Sequence, residues 1–202
     1  MTLQAEALAQ NHQTINSYEG YAERYNEIVG VVPNARDQAT LKRLATLAGA
    51  GGQVLEVGSG PGRDADFLED LGVHVRRTDA TRRFLELQAE RGKHGDLLNI
   101  ITDDLGGPYD AVVALCVLIH IPRVEIDQVL AKIATSLRPG GAFLVSMRNG
   151  DGETGGNYHT VYWRRDDFAE RIAAAGLELI WDEFSSDCDS DEWNTFLALR
   201  PS

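Results

Sequence analysis

Apolar residues recur along the chain in patterns that predict alternating strands and helices. Short runs rich in apolar residues suit strands that are buried in a sheet. Five such strand-like runs lie at 53–57, 73–77, 97–101, 110–119 and 142–147. Helical patterns separate them, and the clearest has one apolar face made of Ile126, Val129, Leu130, Ile133 and Leu137. This alternation predicts a parallel sheet with helices on both faces.

The two ends of the chain depart from the alternation. Two further strand-like runs, 177–184 and 195–199, are separated by a short acidic loop, which favours an antiparallel hairpin. The first ~30 residues have a helical pattern, Pro33 and Asn34 interrupt it, and a second helix is predicted over 35–48. We therefore predict a doubly wound, Rossmann-like α/β fold with seven strands. A helical N-terminal extension (1–34) and the main domain (35–202) are expected to form one compact unit.

Composition and charge limit the classes of partner that the protein is expected to bind. The chain has 202 residues and a net charge of −12, so its surface repels phosphate backbones and anionic lipids. We expect no nucleic-acid partner and no membrane partner. The first residues lack the apolar core of a signal peptide, and the apolar run 111–119 is too short to span a membrane. A cytoplasmic protein, monomeric or homodimeric, is expected.

The two cysteines and the acidic loop carry no strong chemical signal. Cys116 lies in an apolar run and is predicted to be a buried thiol, whereas Cys188 lies in the polar loop 185–192. Such different contexts do not indicate a disulfide. The acids of that loop lack the spacing of a calcium loop, so no metal site is predicted.

The stretch GSGPG (58–62) follows the first predicted strand directly. Glycines permit unusual backbone angles and let a ligand approach the main chain. In a doubly wound sheet, ligands bind at the carboxyl ends of the strands, and Asp79, 19 residues after Gly60, can hold ribose hydroxyls. A dinucleotide-binding loop would have a third glycine where Arg63 stands, which speaks against an oxidoreductase. A plain glycine-rich turn remains an alternative.

Five motifs together resemble those of the class I S-adenosylmethionine (SAM)-dependent methyltransferases, in particular the small, single-domain, bacterial type that acts on small molecules. They are VLEVGSGPG (54–62), RRTDAT (76–81), PYDAVVALCVLIHIP (108–122), LRPGGAFLVSM (137–147) and YEGYAERY (18–25). The resemblance covers essentially the whole chain. It implies SAM as the cofactor and S-adenosylhomocysteine (SAH) as the product, with the N-terminal helices as a lid.

The resemblance also implies roles at the cofactor site. The loop residues that would wrap the methionyl and ribose parts are Gly58, Ser59, Gly60 and Gly62. Glu56 would hold the methionyl ammonium, directly or through water, and Cys116 would offer it a backbone carbonyl. Asp79 would accept bonds from both ribose hydroxyls. Tyr18 and Tyr25 would close over the methionyl end, although tyrosines on such a helix are more often plain packing.

The adenine site departs from the usual pattern. Ala80 and Phe84 would flank the ring, and Phe84 fits an ordinary core position equally well. Many family members have an Asp after the third strand, where Asn99 and Ile100 stand here. Asn can accept the adenine amino group through its carbonyl oxygen. We prefer Asn99 with Ile100 and keep Asp103 as the alternative.

Candidate catalytic residues follow the fourth and fifth strands. His120 and His159 are possible general bases, because a neutral imidazole accepts protons near neutral pH. His120 could instead only fix the strand end. Arg148, Tyr158 and Tyr162 lie in a glycine-rich stretch, 148–163, that suits a substrate lid, although each could be an ordinary surface residue.

The predicted function is methyl transfer from SAM, by direct displacement, to an O, N, S or C nucleophile of a small molecule such as a natural-product intermediate. The acidic surface, the near-minimal domain and the enclosing tyrosine helix favour a small substrate. Two alternatives stay open: a methyltransferase that acts on a peptide, and a SAM-binding module without catalysis.

Overall fold

The computed structural model describes residues 3–187 and 190–202. The helices are α1 Leu3–Glu19, α2 Ala22–Val29, α3 Ala35–Ala48, α4 Arg63–Asp70, α5 Arg82–Ala89, α6 Ile126–Ser136 and α7 Arg165–Ala174. The strands are β1 Gln53–Val57, β2 His74–Asp79, β3 Gly95–Leu97, β4 Tyr109–Ala114, β5 Leu137–Asn149, β6 Gly152–Thr154, β7 Thr160–Trp163, β8 Glu178–Ser186 and β9 Glu192–Leu199. Short 3-10 turns span Leu118–His120 and Arg123–Glu125.

One sheet contains all of these strands. β3, β2, β1, β4 and β5 lie side by side and parallel, and β9 and β8 extend the sheet from β5 as an antiparallel hairpin. The predicted doubly wound fold and its C-terminal hairpin are thus confirmed. The prediction of seven strands was incomplete, because part of the stretch 148–163 forms β6 and β7. β7 pairs in parallel with the last residues of β5, through Arg148 and Asn149.

Two predicted strands are shorter than expected for local reasons. The predicted strand at 97–101 is reduced to Gly95–Leu97, since the Asn99 side chain accepts a bond from the Ile101 amide at 3.0 Å and holds a turn. The strand predicted at 110–119 ends at Ala114, because Cys116 adopts a φ of 58° and redirects the chain. Side-chain hydrogen bonding and a left-handed residue therefore override apolar character.

The sheet buries apolar side chains on both faces. On one face Phe143, Phe168 and Phe196 belong to a large core that also includes the apolar side of α6 and α7. On the other face Leu41 and Leu144 belong to a second core with α3 and α4. Neighbouring residues of β5 alternate between the two cores, as the period of a strand requires. Covering helices on both faces explain why the central strands are rich in apolar residues.

The N-terminal helices α1 and α2, here called the lid, pack over the carboxyl ends of the parallel strands. The side chain of Glu19 at the end of α1 accepts bonds from the Arg82 and Arg83 amides, at 2.6 and 3.0 Å. It therefore caps the start of α5, whose own first residues supply no side-chain cap. No helix among the described residues has the length and apolar character needed to cross a membrane.

Candidate active site

A cavity lies where the lid covers the ends of β1, β2 and β4. The space not filled by protein atoms there is about 720 Å³, which includes open solvent at the mouth. Its lining includes these sequence-predicted residues: Tyr18, Tyr25, Gly58, Gly60, Asp79, Ala80, Phe84, Asn99, Ile100, Cys116 and His120. The remaining predicted site residues, which do not line it, are Glu56, Ser59, Gly62, Asp103, Arg148, Tyr158, His159 and Tyr162.

The three glycines of the loop 58–62 have different structural causes. A Cβ on Gly58 would lie 2.4 Å from a methyl group of Val117, and one on Gly62 would lie 2.8 Å from Arg77 Nη1. A Cβ on Gly60 would make only an ordinary contact with a Tyr25 ring carbon at 3.9 Å. Its φ of 52° therefore explains Gly60, whereas Gly58 and Gly62 also make room for other side chains of the protein.

Two buried polar side chains that the sequence analysis did not select hold this loop. Gln88 of α5 donates to Ser59 Oγ and to the Gly60 carbonyl, both at 2.8 Å. Arg77 of β2 is 2% exposed, forms ion pairs with acids of α4 and donates to Gln88. An arginine on a strand of a sheet that is covered on both faces was the available signal for this role.

Asp79 ends β2 inside the cavity and is almost fully buried. Its Oδ2 accepts from the Gly60 amide at 2.8 Å, and its Oδ1 accepts from the Thr81 amide at 2.7 Å. Burial raises the pKa of Asp79 to about 6, against the opposing effect of these two bonds. Each carboxylate oxygen retains a lone pair that can accept from a ligand hydroxyl.

Glu56 is buried in β1, one residue before the cavity-lining Val57. Among the described residues nothing hydrogen-bonds to its Oε2. Burial, followed by repulsion from Asp64, raises the pKa of Glu56 well above its ordinary value. A buried carboxylate oxygen without a donor is costly. The methionyl ammonium of SAM is a cation that would satisfy it, so this residue fits the cofactor.

The far side of the cavity favours Asn99 over Asp103. Asn99 and Ile100 line the cavity, whereas the Asp103 carboxylate accepts from the Asn99 amide at 2.9 Å and holds the turn from outside. Asn99 also donates to Asn11 Oδ1 at 2.6 Å. The sequence analysis missed Asn11, although it shares one face of α1 with Thr14 and Tyr18 at helical spacing.

Cys116 lies exposed to the cavity, so the predicted buried thiol was wrong. Its left-handed backbone turns the residue out of the strand, and its amide donates to Ser146 Oγ at 2.8 Å. Although Cys116 faces the cavity, the protein packed around that cavity shields the thiol from bulk water, and this desolvation raises its pKa to about 11, which leaves it protonated near neutral pH. The predicted Cys188 lies outside the described residues.

Aromatic rings surround Tyr18 beneath the lid. The rings of Tyr25, Phe84, His120 and Tyr158 have centroids 5.8, 5.8, 5.5 and 4.7 Å from that of Tyr18. Burial raises the pKa of Tyr25 to about 12 and that of Tyr18 still further, so both phenols remain neutral. Tyr158 reaches this cluster without lining the cavity.

His120 is the basic group that faces the cavity. Its Nδ1 lies 2.7 Å from the His159 carbonyl oxygen, and its Nε2 lies 3.0 Å from the Tyr18 hydroxyl. A carbonyl only accepts, so Nδ1 carries the proton and Nε2 presents its lone pair to Tyr18. Burial lowers the pKa of His120, which favours this neutral form.

The other residues predicted in the stretch 148–163 point elsewhere. The buried His159 imidazole lies 3.1 Å from Glu153, and only its backbone reaches His120. Arg148 pairs with Asp191 at 2.5 Å and packs 5.0 Å from the Trp193 ring. Tyr162 pairs with β5 and β6 as part of β7.

Known proteins that are similar in sequence to this chain are methyltransferases. The family model for a methyltransferase domain matches residues 55–143. Methyltransferase GfsG of Streptomyces halstedii is 33% identical over 107 residues, which cover 48% of this chain and 38% of that protein. A probable SAM-dependent methyltransferase of Mycolicibacterium smegmatis is 30% identical over 155 residues, which cover 71% of this chain and 58% of that protein. The matches thus span less than two thirds of these relatives.

Solved structures share the fold at lower identity. A Burkholderia thailandensis 1,6-didemethyltoxoflavin-N1-methyltransferase, crystallised with 1,6-didemethyltoxoflavin and SAH, superposes with a TM-score of 0.79. It is 18% identical, and the match covers 100% of this chain and 92% of that one. The structure of the [4+2]-cyclase SpnF superposes with a TM-score of 0.75 at 16% identity. The match covers 92% of this chain and 94% of that one.

The glycine loop, the buried Asp79, the unsatisfied Oε2 of Glu56 and the matched domain all fit SAM as the cofactor. The chain contains a methyltransferase domain and is similar to SAM-dependent methyltransferases over most of its length.

Proposed function

We propose that this protein transfers a methyl group from SAM to an O, N, S or C nucleophile of a small molecule by direct displacement. One observation carries the proposal: a neutral, basic His120 opens into the same cavity as Asp79 and the glycine loop. When bound, SAM supplies an activated methyl group, so the protein needs mainly to align the acceptor and remove its proton.

The residues of the chain divide this work. Asp79 and Gly60 would hold the ribose, and Asn99 and Ile100 would hold the adenine edge. Glu56 would bind the methionyl ammonium. The lid would exclude water from the cavity by covering it with Tyr18.

His120 is proposed as the general base, which takes the acceptor's proton at Nε2. Because Nε2 already accepts from Tyr18, the acceptor hydroxyl or amine would replace or share that bond. General-base catalysis of this kind typically contributes on the order of 10²- to 10⁴-fold in rate.

Three features support a small and largely uncharged acceptor. The cavity lies beneath the lid instead of in an open groove. No Lys or Arg of the described residues lines it, so a carboxylate or phosphate would find no cationic partner there. The structurally similar Burkholderia enzyme is crystallised with a small heterocyclic compound. A natural-product intermediate is one class of acceptor that suits these features.

The first test is titration calorimetry of the purified protein with SAM and SAH. We expect micromolar dissociation constants for both. A mass-spectrometric screen for products 14 Da heavier would follow, with small phenols, amines, thiols and carbon acids in one panel and short basic peptides in another. Absence of binding for both SAM and SAH would overturn the proposal.

The alternatives give distinct outcomes. Methylated peptides without methylated small molecules would make this a peptide methyltransferase. Tight SAM binding without turnover on either panel would favour a SAM-binding module, or a reaction other than methyl transfer on the same fold, for which the [4+2]-cyclase of similar structure is a precedent. Binding of NAD(H) in place of SAM would restore the oxidoreductase hypothesis.

A further inference from the structure

The lid holds both ring nitrogens of His120, although His120 itself lies about a hundred residues away in the sequence. At Nε2 the contact is direct, through the Tyr18 hydroxyl of α1 at 3.0 Å. At Nδ1 the contact is indirect: the His159 carbonyl accepts from the ring at 2.7 Å, and the His159 amide donates to Thr14 Oγ1 of α1 at 2.9 Å. Thr14 and Tyr18 are four residues apart and therefore lie on the same face of α1.

From this arrangement we propose that Thr14 is a positioning residue, which fixes His120 in its Nδ1-protonated tautomer through the backbone of His159. The inference rests on the proposed function of His120 as the base. Thr14 lines the cavity, but its hydroxyl is engaged by the His159 amide, so it is assigned a positioning role and not a catalytic one.

The segment just before His159 runs along α1, and its backbone makes further hydrogen bonds next to the bond between Thr14 and His159. Gln13 donates to the Gly156 carbonyl and Ser17 donates to the Asn157 carbonyl, both at 2.6 Å. Gln13 is exposed and Ser17 is half-buried, whereas Thr14 and His159 are buried, with 3% and 4% of their surface accessible. The buried bond of Thr14 anchors the backbone of His159 at its amide, because a buried amide without an acceptor is costly, and the His159 carbonyl follows on the other side of the same Cα.

The tautomer matters because only one form offers a base to the cavity. If Nδ1 lost its carbonyl partner, the ring could place its proton on Nε2 and donate to Tyr18 instead. The lone pair would then point away from the Tyr18 side, where the acceptor would bind. The base is therefore assembled only when α1 is seated over the cavity.

The test is long-range ¹H–¹⁵N correlation NMR of the histidine side chains, which reports the tautomer without requiring turnover. The full-length, ligand-free protein would be labelled with ¹⁵N, and the His120 signals would be identified by their loss in His120→Gln. We expect a single Nδ1-protonated form in the native protein. Thr14→Val should give a mixture of tautomers, and Thr14→Ser, which keeps the hydroxyl, should restore the single form.

Thr46→Val is the matched control, since Thr46 is an exposed helical threonine whose hydroxyl bonds only to the Lys42 carbonyl of its own helix. It should leave the His120 signals unchanged. With an acceptor in hand, Thr14→Val should lower kcat by about tenfold, with the KM for SAM unchanged.

Either of two results would overturn the inference: an Nε2-protonated His120 in the native protein, or an unchanged tautomer in a folded Thr14→Val variant. SAM binding separates this failure from that of the proposed function. If SAM binds and methyl transfer occurs but the His120 tautomer is unchanged in Thr14→Val, only the positioning role of Thr14 is lost. If SAM does not bind, the methyltransferase proposal fails whatever the tautomer does.

Discussion

The two ends of the cavity are built in different ways. At the nucleoside end, the joined residues are near in sequence: Gly60 and Asp79 are 19 residues apart, and Ser59 and Gln88 are 29 apart. At the lid end, Tyr18 reaches His120 across 102 residues, and Thr14 reaches the amide of His159 across 145. Apart from the bond that joins Asn99 to Asn11 of α1, these contacts of the nucleoside end lie within one run of strands and helices, whereas the lid end exists only after α1 has docked.

This difference separates binding from chemistry. The nucleoside end presents fixed backbone donors and a buried acid, which recognise a cofactor whether or not a substrate is present. The lid end brings together a phenol, an imidazole and a peptide carbonyl, which act on a proton. Substitutions at the first end should therefore change affinity for SAH, and those at the second should change turnover. The two sets of effects should be separable.

The largest separable effect is expected for His120→Gln. Gln can keep hydrogen bonds to Tyr18 and to the His159 carbonyl, but it cannot take up a proton. With the acceptor that the screen identifies, we expect kcat to fall by about 10²-fold or more. The dissociation constant for SAH, measured by calorimetry, should change by less than about threefold, because the imidazole contributes no charge in its neutral form.

The control is His74→Gln. His74 is an exposed histidine at the start of β2, and Asp79, at the other end of that strand, lies in the cavity. It should behave as the native protein in both measurements. A kcat of His120→Gln within threefold of the native value would mean that His120 only fixes the turn after β4. The lid end would then serve to enclose the substrate and not to remove a proton.

The sequence predicted the nucleoside end better than the lid end, because the contacts between the glycine loop and Asp79 are short in sequence. The glycine loop and Asp79 are read from one short stretch, in which a strand, a turn and a second strand fix their relative positions. The exact match of α3 to 35–48 likewise follows from a local signal, the side chain of Asn34 that caps it.

Features that depend on distant contacts escaped prediction. Residues of the stretch 148–163 form β6 and β7 because the end of β5 offers them a free edge, which no local pattern reveals. Thr14 is an ordinary helical threonine until the His159 amide is placed beside it. Arg77 and Gln88 were detectable only as polar residues at positions that the fold buries. Tertiary partners, and not propensities, decide these roles.

The second prediction concerns Asp79→Ala. Loss of a carboxylate that accepts two ribose hydroxyls should weaken SAH binding by about 2–3 kcal/mol, or roughly 30- to 150-fold in the dissociation constant. Calorimetry checks the affinity, and circular dichroism checks that the variant is folded. Because Asp79 also holds the amides of Gly60 and Thr81, part of the loss would come from a loosened loop.

Asp70→Ala, which replaces an exposed acid at the end of α4, is the control and should bind SAH as the native protein does. Unchanged affinity in a folded Asp79→Ala variant would place the ribose elsewhere. The division into a binding end and a chemical end would then lose its main support, even if His120 proved to be the base.

The smallest effect tests whether burial of Glu56 destabilises the protein in the absence of the cofactor. Burial raises the pKa of Glu56 in the folded protein, so the folded state binds its proton more tightly than the unfolded state does. For a group shifted upward in this way, the free energy of unfolding falls as pH rises above about 4.5. Glu56→Gln removes the ionisation. It should raise the Tm of the ligand-free protein by about 2–4 °C at pH 8, and by less at pH 5.

The comparison between variant and native protein isolates Glu56, since Asp79 titrates in both. Glu170→Gln, at an exposed position of α7, should change the Tm at neither pH. With SAH present the order should reverse, because the ammonium stabilises the native carboxylate and not the amide. A Glu56→Gln variant that is less stable than the native protein at pH 8 would mean that the protein itself already satisfies this charge. The destabilisation would then be absent, and cofactor binding would have to draw its selectivity from Asp79 and the glycine loop alone.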